Sequence, residues 1–173
     1  MTDLEVFFNC SDKLEKKDRV LLKRSCGAML SEAGGKTLTV FYRLLPGTVK
    51  QFDEDKWFLA LCIHCLWDED DNARRQPMEQ QISLMNMREK LTDSFEHRLT
   101  ALLDTPWNDD GYLNQKLTRM AKMLKQKGYP VDGALLLDAL IHWNDASRAV
   151  QKKWVRAFCN TEPETNIENN TEE

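Results

Sequence analysis

Cys62-Ile63-His64-Cys65 brings two thiols and an imidazole within four residues, and those groups hold zinc or run thiol–disulfide exchange. A structural zinc site needs four ligands, usually supplied as two such pairs. The other cysteines, Cys10, Cys26 and Cys159, stand alone in the sequence. Redox chemistry of the thioredoxin kind wants a strand ahead of the motif, and the run around Cys62 is apolar with a helical period. Both thiols therefore read as small core residues, and no metal or cofactor is expected. His64, His97 and His142 belong to no Ser-His-Asp order, and no G-x-S-x-G turn, Walker loop or paired-glycine fingerprint accompanies them. His142, at a helix end before Trp143, is expected to pack or cap. No residue earns a catalytic role, so the chain is not expected to be an enzyme.

The stronger chemistry is ionic. Arg148, Lys152 and Arg156 fall at i, i+4 and i+8, which lines three cations along one rib of a helix, about 6 Å of rise apart. Lys153 flanks them, Val150, Trp154, Ala157 and Phe158 form the opposite apolar stripe, and no carboxylate lies between Arg148 and Cys159. Gly111–Lys127 repeats the pattern. There Leu113, Leu117, Met120, Ala121 and Leu124 make a buried stripe, while Lys116, Arg119, Lys122 and Lys125 wind around the rest. Like charges at helical spacing weaken a helix, and a merely solvated face mixes Glu with Lys. Two such faces in one half of the chain point to a partner that supplies negative charge, and nucleic-acid backbone is the leading one. Arg119, Lys122, Arg148, Lys152 and Arg156 are expected to form one outward surface with no acid nearby. Most aromatics, Tyr42 included, sit on apolar stripes and are expected in the core rather than stacked on bases. Trp107 and Tyr112, flanking Asn108-Asp109-Asp110-Gly111, are the exceptions.

At 173 residues, with 42% hydrophobic and 30% charged, the chain can bury a core as one domain or two small ones. No apolar run approaches the roughly 18 residues of a membrane span, and MTDLEVFFNC has no basic region leading an apolar one; a cytoplasmic protein is expected. Five cysteines, odd in number and mostly inside apolar stretches, argue for reduced thiols. The net charge of −4 hides a segregation of sign. Residues 161–173 carry five Glu and no cation, whereas Gly111–Asn160 sets nine cations against Asp132, Asp138 and Asp145. The runs Asp53–Asp55 and Asp68–Asp71 concentrate acids in the first half.

Helices must position all of this, because no stretch alternates as a strand. The spacing predicts helices over Leu4–Asn9, Lys13–Cys26 (capped by Ser11 or Asp12), Thr37–Leu45 and Asp53–Trp67. Five more follow over Ile82–Lys90, Phe95–Leu103, Gly111–Lys127, Asp132–Trp143 and Ser147–Cys159. Gly34-Gly35 and Pro46-Gly47 break the chain, and polar Asp68–Pro77, with Arg74-Arg75, is the expected linker. The expected fold class is all-α. A helical bundle over 1–75 packs against a second bundle with the basic face over 76–160. A disordered acidic tail over 161–173 follows, whose one large aliphatic side chain, Ile167, cannot order it.

VDGALLLDALIHWNDASRAVQKKWVRAF resembles the C-terminal signature of the CasB family, the small subunit of the type I-E CRISPR surveillance complex Cascade. NQKLTRMAKMLKQKGYPVD before it, FYRLLP at Phe41–Pro46 and HRLTALLD at His97–Asp104 fall in the family's order and spacing, spanning about Leu21 to Cys159. The resemblance implies an all-helical, two-bundle protein without enzymatic activity. It also implies usually two copies lying against the Cascade backbone and large subunits. Contact with target DNA and guide RNA would help hold the R-loop open; base pairing reads the sequence, so a subunit touching phosphates needs no base readout. The family's basic positions correspond to Arg24, Arg43, Arg98, Lys116, Arg119, Lys122, Arg148, Lys152, Lys153 and Arg156. Arg43 and Arg98 lie in apolar helices, where pairing with an acid is the alternative. The chain departs from the pattern at Gly133, where a Trp often stands, and at Cys159, where an aromatic is frequent. At Lys152 and Lys153 it keeps the charge of Arg but loses the planar fork. Residues 1–20 do not align. The competing reading is a helical adaptor whose basic half meets an acidic protein surface.

Overall fold

The computed structural model describes residues 1–160, and the expected acidic tail at 161–173 lies outside the described residues. The helices are α1 (Asp3–Asp12), α2 (Lys16–Arg24), α3 (Gly35–Leu44), α4 (Glu54–His64), α5 (Met78–Glu89), α6 (Asp93–Leu103), α7 (Tyr112–Lys127), α8 (Gly133–Ile141) and α9 (Ala149–Cys159). Short 3-10 turns at Leu30–Glu32, Gln51–Asp53 and Glu69–Arg74 join them. Among the described residues there is no strand, only an isolated parallel bridge between Gln76 and Val131. The all-α class is as expected. No helix among these residues is long and apolar enough to cross a membrane.

α4 is the axis of the molecule. Every residue from Trp57 to His64 is buried, and a helix that is apolar all round belongs in the interior. It packs against α2, α7 and α8, so one cluster of buried side chains runs from Phe7 to Trp154 through both halves. Phe7 meets Trp57 edge to face at 5.1 Å and Phe41 at 6.4 Å. Trp143 meets Trp154 the same way at 5.4 Å, and Trp143 Nε1 donates to the Thr105 carbonyl at 2.9 Å. That bond ties the end of α8 to the loop after α6.

Ser11 and Asp12 do not cap α2, contrary to expectation. Ser11 Oγ donates to the Phe8 carbonyl at 2.7 Å, and Asp12 Oδ1 lies 3.0 Å from His64 Nε2, so both close α1. α2 begins at Lys16, with Glu15 at its N-cap making no side-chain bond. The connecting segment 68–77 is clamped. Buried Arg75 donates from Nη1 to the Val131 carbonyl at 2.8 Å, from Nη2 to the Trp67 carbonyl at 3.2 Å and from Nε to Asn72 Oδ1 at 2.8 Å. Gln81 Nε2 adds a bond to the Pro130 carbonyl at 2.6 Å.

The Cys-Ile-His-Cys motif is core. Cys62 and Cys65 are buried, and burial pushes both thiols up, Cys65 to about 12, which keeps them protonated and unreactive. His64 accepts the Gly133 N–H on Nδ1 at 3.1 Å. Its proton therefore sits on Nε2, facing Asp12, and burial holds its pKa below the ordinary value against the opposing pull of Asp12. A Cβ on Gly133 would fall 2.5 Å from Phe8 Cε1 and 2.6 Å from His64 Cβ. No side chain fits there, which accounts for the glycine.

Candidate nucleic-acid interface

α6 organises the basic half. At about 100° per residue, Arg98, Ala101 and Leu102 occupy one flank of α6, and Thr100, Leu103 and Asp104 the opposite flank. Phe95 and Leu99 fall between them and are buried. Each flank opens a groove.

The groove between α6 and α7 has a volume of about 530 Å³. Arg98, Lys116 and Arg119 rim it over an apolar floor that includes Leu102, Met120 and Met123, and no carboxylate lines it. Lys116 is steadied by a bond from Nζ to Thr105 Oγ1 at 2.6 Å. Arg98, Arg119, Lys122, Lys152 and Arg156 make no ion pair among the described residues. The α7 stripe from Leu113 to Leu124 is buried as expected. Gly111, at φ 74, starts this helix in the left-handed region, a conformation that favours glycine.

The groove between α6 and α9, about 520 Å³, is lined by Arg148, Lys152 and Arg156, and also by Asp104. Arg148 is not on the helical rib. It is the N-cap of α9 in the left-handed region, φ 52 and ψ 35. Its Nη2 donates to the Leu103 carbonyl at 2.9 Å and to Asp104 Oδ1 at 3.2 Å. The expectation that no acid approaches this rib is therefore corrected at Arg148. Lys153 turns the other way, to Glu79 Oε1 on α5 at 3.4 Å.

The remaining positions lie elsewhere. Thr118 packs on Gly27 beyond the end of α2, 3.3 Å from where a Cβ would stand. Lys122, one turn on, faces the same side; burial raises the Cys26 thiol to about 11 and the Lys122 charge pulls against that rise. Arg24 is the exposed last residue of α2, and Arg43 on α3 lies 3.9 Å from Asp18, an acid in the role that the sequence offered as its alternative without naming a residue. The single surface expected from Arg119, Lys122, Arg148, Lys152 and Arg156 is thus three separate faces, because α6 stands between α7 and α9. Tyr112 is exposed as expected, whereas Trp107 is half-buried with Lys56 Nζ 5.9 Å over its ring. Tyr42, expected in the core, is exposed and donates to Glu54 at 2.7 Å. The most exposed aromatic, Phe52, escaped sequence reasoning. It sits in a 3-10 turn, outside any periodic stripe.

Residues 21–158 match the family model of the CRISPR-associated protein Cse2, close to the span of the motifs quoted above. A chain of a CRISPR RNA-guided surveillance complex has the same fold, with TM-score 0.74, 19% identity and 92% of each chain covered. CasB of M. ruber aligns with TM-score 0.72 at 19% identity, over 92% of this chain and 94% of that one. A Cse2-family protein of Thermus thermophilus gives 0.72 at 20%, over 92% and 99%. No curated protein matches the chain. The structural likenesses establish the fold, and the family match covers most of the sequence. The chain belongs to the CRISPR-associated Cse2 family.

Proposed function

We propose that this protein is the non-catalytic, cytoplasmic small subunit of a type I-E CRISPR surveillance complex, Cascade, where its basic half touches nucleic-acid backbone and stabilises the R-loop. Family membership supports the assembly, together with the fold shared with a chain of a surveillance complex. The α6–α7 groove carries the nucleic-acid part of the reading, because three cations rim it and no carboxylate lines it. Cations at a rim neutralise phosphates and release their counterions, which gives affinity without reading bases.

Arg98, Lys116 and Arg119 are the first contacts in this reading, and Lys152 and Arg156 the second. Arg24, Arg43, Lys122 and Lys153 lie outside both grooves, and Arg148 is partly occupied by its own fold. The partners are target DNA and guide RNA, the backbone and large subunits, and a second copy of this chain. The bundle over 76–160 takes the nucleic acid, leaving that over 1–75 for protein contacts. The test is reconstitution of the complex with and without this subunit. Its omission should shorten R-loop lifetime on matched target while guide binding persists. An unchanged lifetime would defeat the proposal and favour the adaptor reading.

A further inference from the structure

Residues 161–173 lie beyond the span that the family model matches, and they hold the most one-sided charge in the chain, five Glu and no cation. They follow Asn160, the C-cap of α9, the helix that gives Lys152 and Arg156 to the α6–α9 groove. That groove has the complementary chemistry. Its three cations stand beside Leu103 and Val155, and Val155 is 43% exposed. Asp104 is the one carboxylate lining it, and Arg148 already engages that group. Gln151, 6% exposed, also lines it; its Nε2 donates to the Trp143 carbonyl at 2.7 Å, and its Oε1 has no partner among the described residues. A peptide brings N–H donors for such an acceptor, and a phosphodiester backbone brings none.

Reach is sufficient. α9 rises roughly 17 Å between Arg148 and Cys159, whereas Thr161–Ile167 spans up to about 23 Å when extended. A segment of that length is long enough to return along α9 as far as Lys152 and Arg156.

We propose that the acidic segment Thr161–Glu173 docks in the α6–α9 groove of its own chain and competes there with nucleic-acid phosphate. The competition rests on the reading given under Proposed function; the docking does not. Tethering places the segment at an effective concentration on the order of millimolar, so even weak intrinsic affinity shields the groove. Nucleic acid then enters by displacing it.

The test compares the full chain with its E162Q/E164Q/E168Q/E172Q/E173Q variant. At about 50 mM salt, where screening is weak, backbone amide NMR shifts should differ between the two at Thr100, Leu103, Gln151 and Val155. The differences should fade at about 1 M salt. The variant should bind single-stranded DNA about threefold tighter or more at low salt, and that gain should vanish in a K152E/R156E background. Absent shifts, or shifts confined to Arg98, Arg119 and Met123, overturn the docking. Groove shifts with DNA affinity unchanged overturn the competition. Groove shifts in a protein that binds no DNA at all uphold the docking and sink the nucleic-acid reading instead.

Discussion

Arg98, Lys116 and Arg119 rim one flank of α6, and Arg148, Lys152 and Arg156 the other. By count the flanks are equal, but their surroundings differ. The first has no carboxylate in its lining. On the second, Asp104 and the Leu103 carbonyl hold Arg148, and Glu79 draws off the neighbouring Lys153. Arg148 also sits in a backbone region that a residue with a Cβ enters at about 1–2 kcal/mol. Its two contacts, worth about 1 kcal/mol each at most in so exposed a place, help fix it as the start of α9. Under the proposed reading, availability rather than the number of cations ranks the α6–α7 flank ahead of the α6–α9 flank for binding.

The comparison predicts its largest effect on the α6–α7 side. Arg98→Glu with Arg119→Glu should weaken single-stranded DNA binding by more than about tenfold near 100 mM salt. The slope of log K against log salt should flatten by ~0.7 for each phosphate that is no longer neutralised. Stability should stay within about 0.5 kcal/mol, because both side chains are exposed. Titrations at several salt concentrations, each with a thermal melt, measure this. Lys152→Glu with Arg156→Glu should cost several-fold less affinity than the first pair, as titrations under the same conditions will read. An equal or larger loss would invert the ranking of the flanks.

Arg148→Ala should change affinity by less than about twofold and lower stability by about 1–2 kcal/mol through the missing carbonyl and carboxylate bonds. Arg148→Gly should be about 1 kcal/mol less damaging, since glycine enters the left-handed region freely. Denaturant titration of the two variants gives that difference directly. A glycine variant no better than the alanine one would remove strain from the account of this cap.

Acid supplies the smallest and most diagnostic effect. Buried His64 has a folded pKa below its ordinary 6.5, so below pH 6.5 the unfolded chain takes up a proton that the fold resists. Its contribution is complete above that pH and declines as pH falls through it. Asp12 is also held below its ordinary 3.8: burial pushes it up, but the His64 hydrogen bond and charge outweigh that, and it adds a loss only at lower pH. His64 lies in the core and lines neither groove. Melting temperature should therefore fall from about pH 7 to about pH 5 while DNA affinity of the folded protein holds steady, as melts and titrations in matched buffers can establish.

Much of the framework was legible because it is periodic. The α7 stripe from Leu113 to Leu124 and the apolar run that became α4 follow directly from residue spacing. Arg148 was misread for a physical reason: helical spacing cannot show that the residue caps rather than continues the helix, and its acid partner is 44 positions away. Arg75 looked like linker charge, yet three carbonyl and amide oxygens from separate segments bury it. Sequence pattern also could not show that α6 parts α7 from α9, or that Lys122 faces α2 while Arg119 faces α6. Crossing of helices is decided by packing across the core, not by the period of either helix.

The central claim is that the α6–α7 groove holds nucleic-acid backbone inside the assembled complex. It is tested most directly by R-loop lifetime against salt in complexes carrying Arg98→Glu with Arg119→Glu, with subunit incorporation checked by mass. The account predicts full incorporation and a lifetime shortened by about tenfold, with a shallower salt dependence than the parent. Full incorporation with lifetimes equal to the parent at every salt concentration would contradict it.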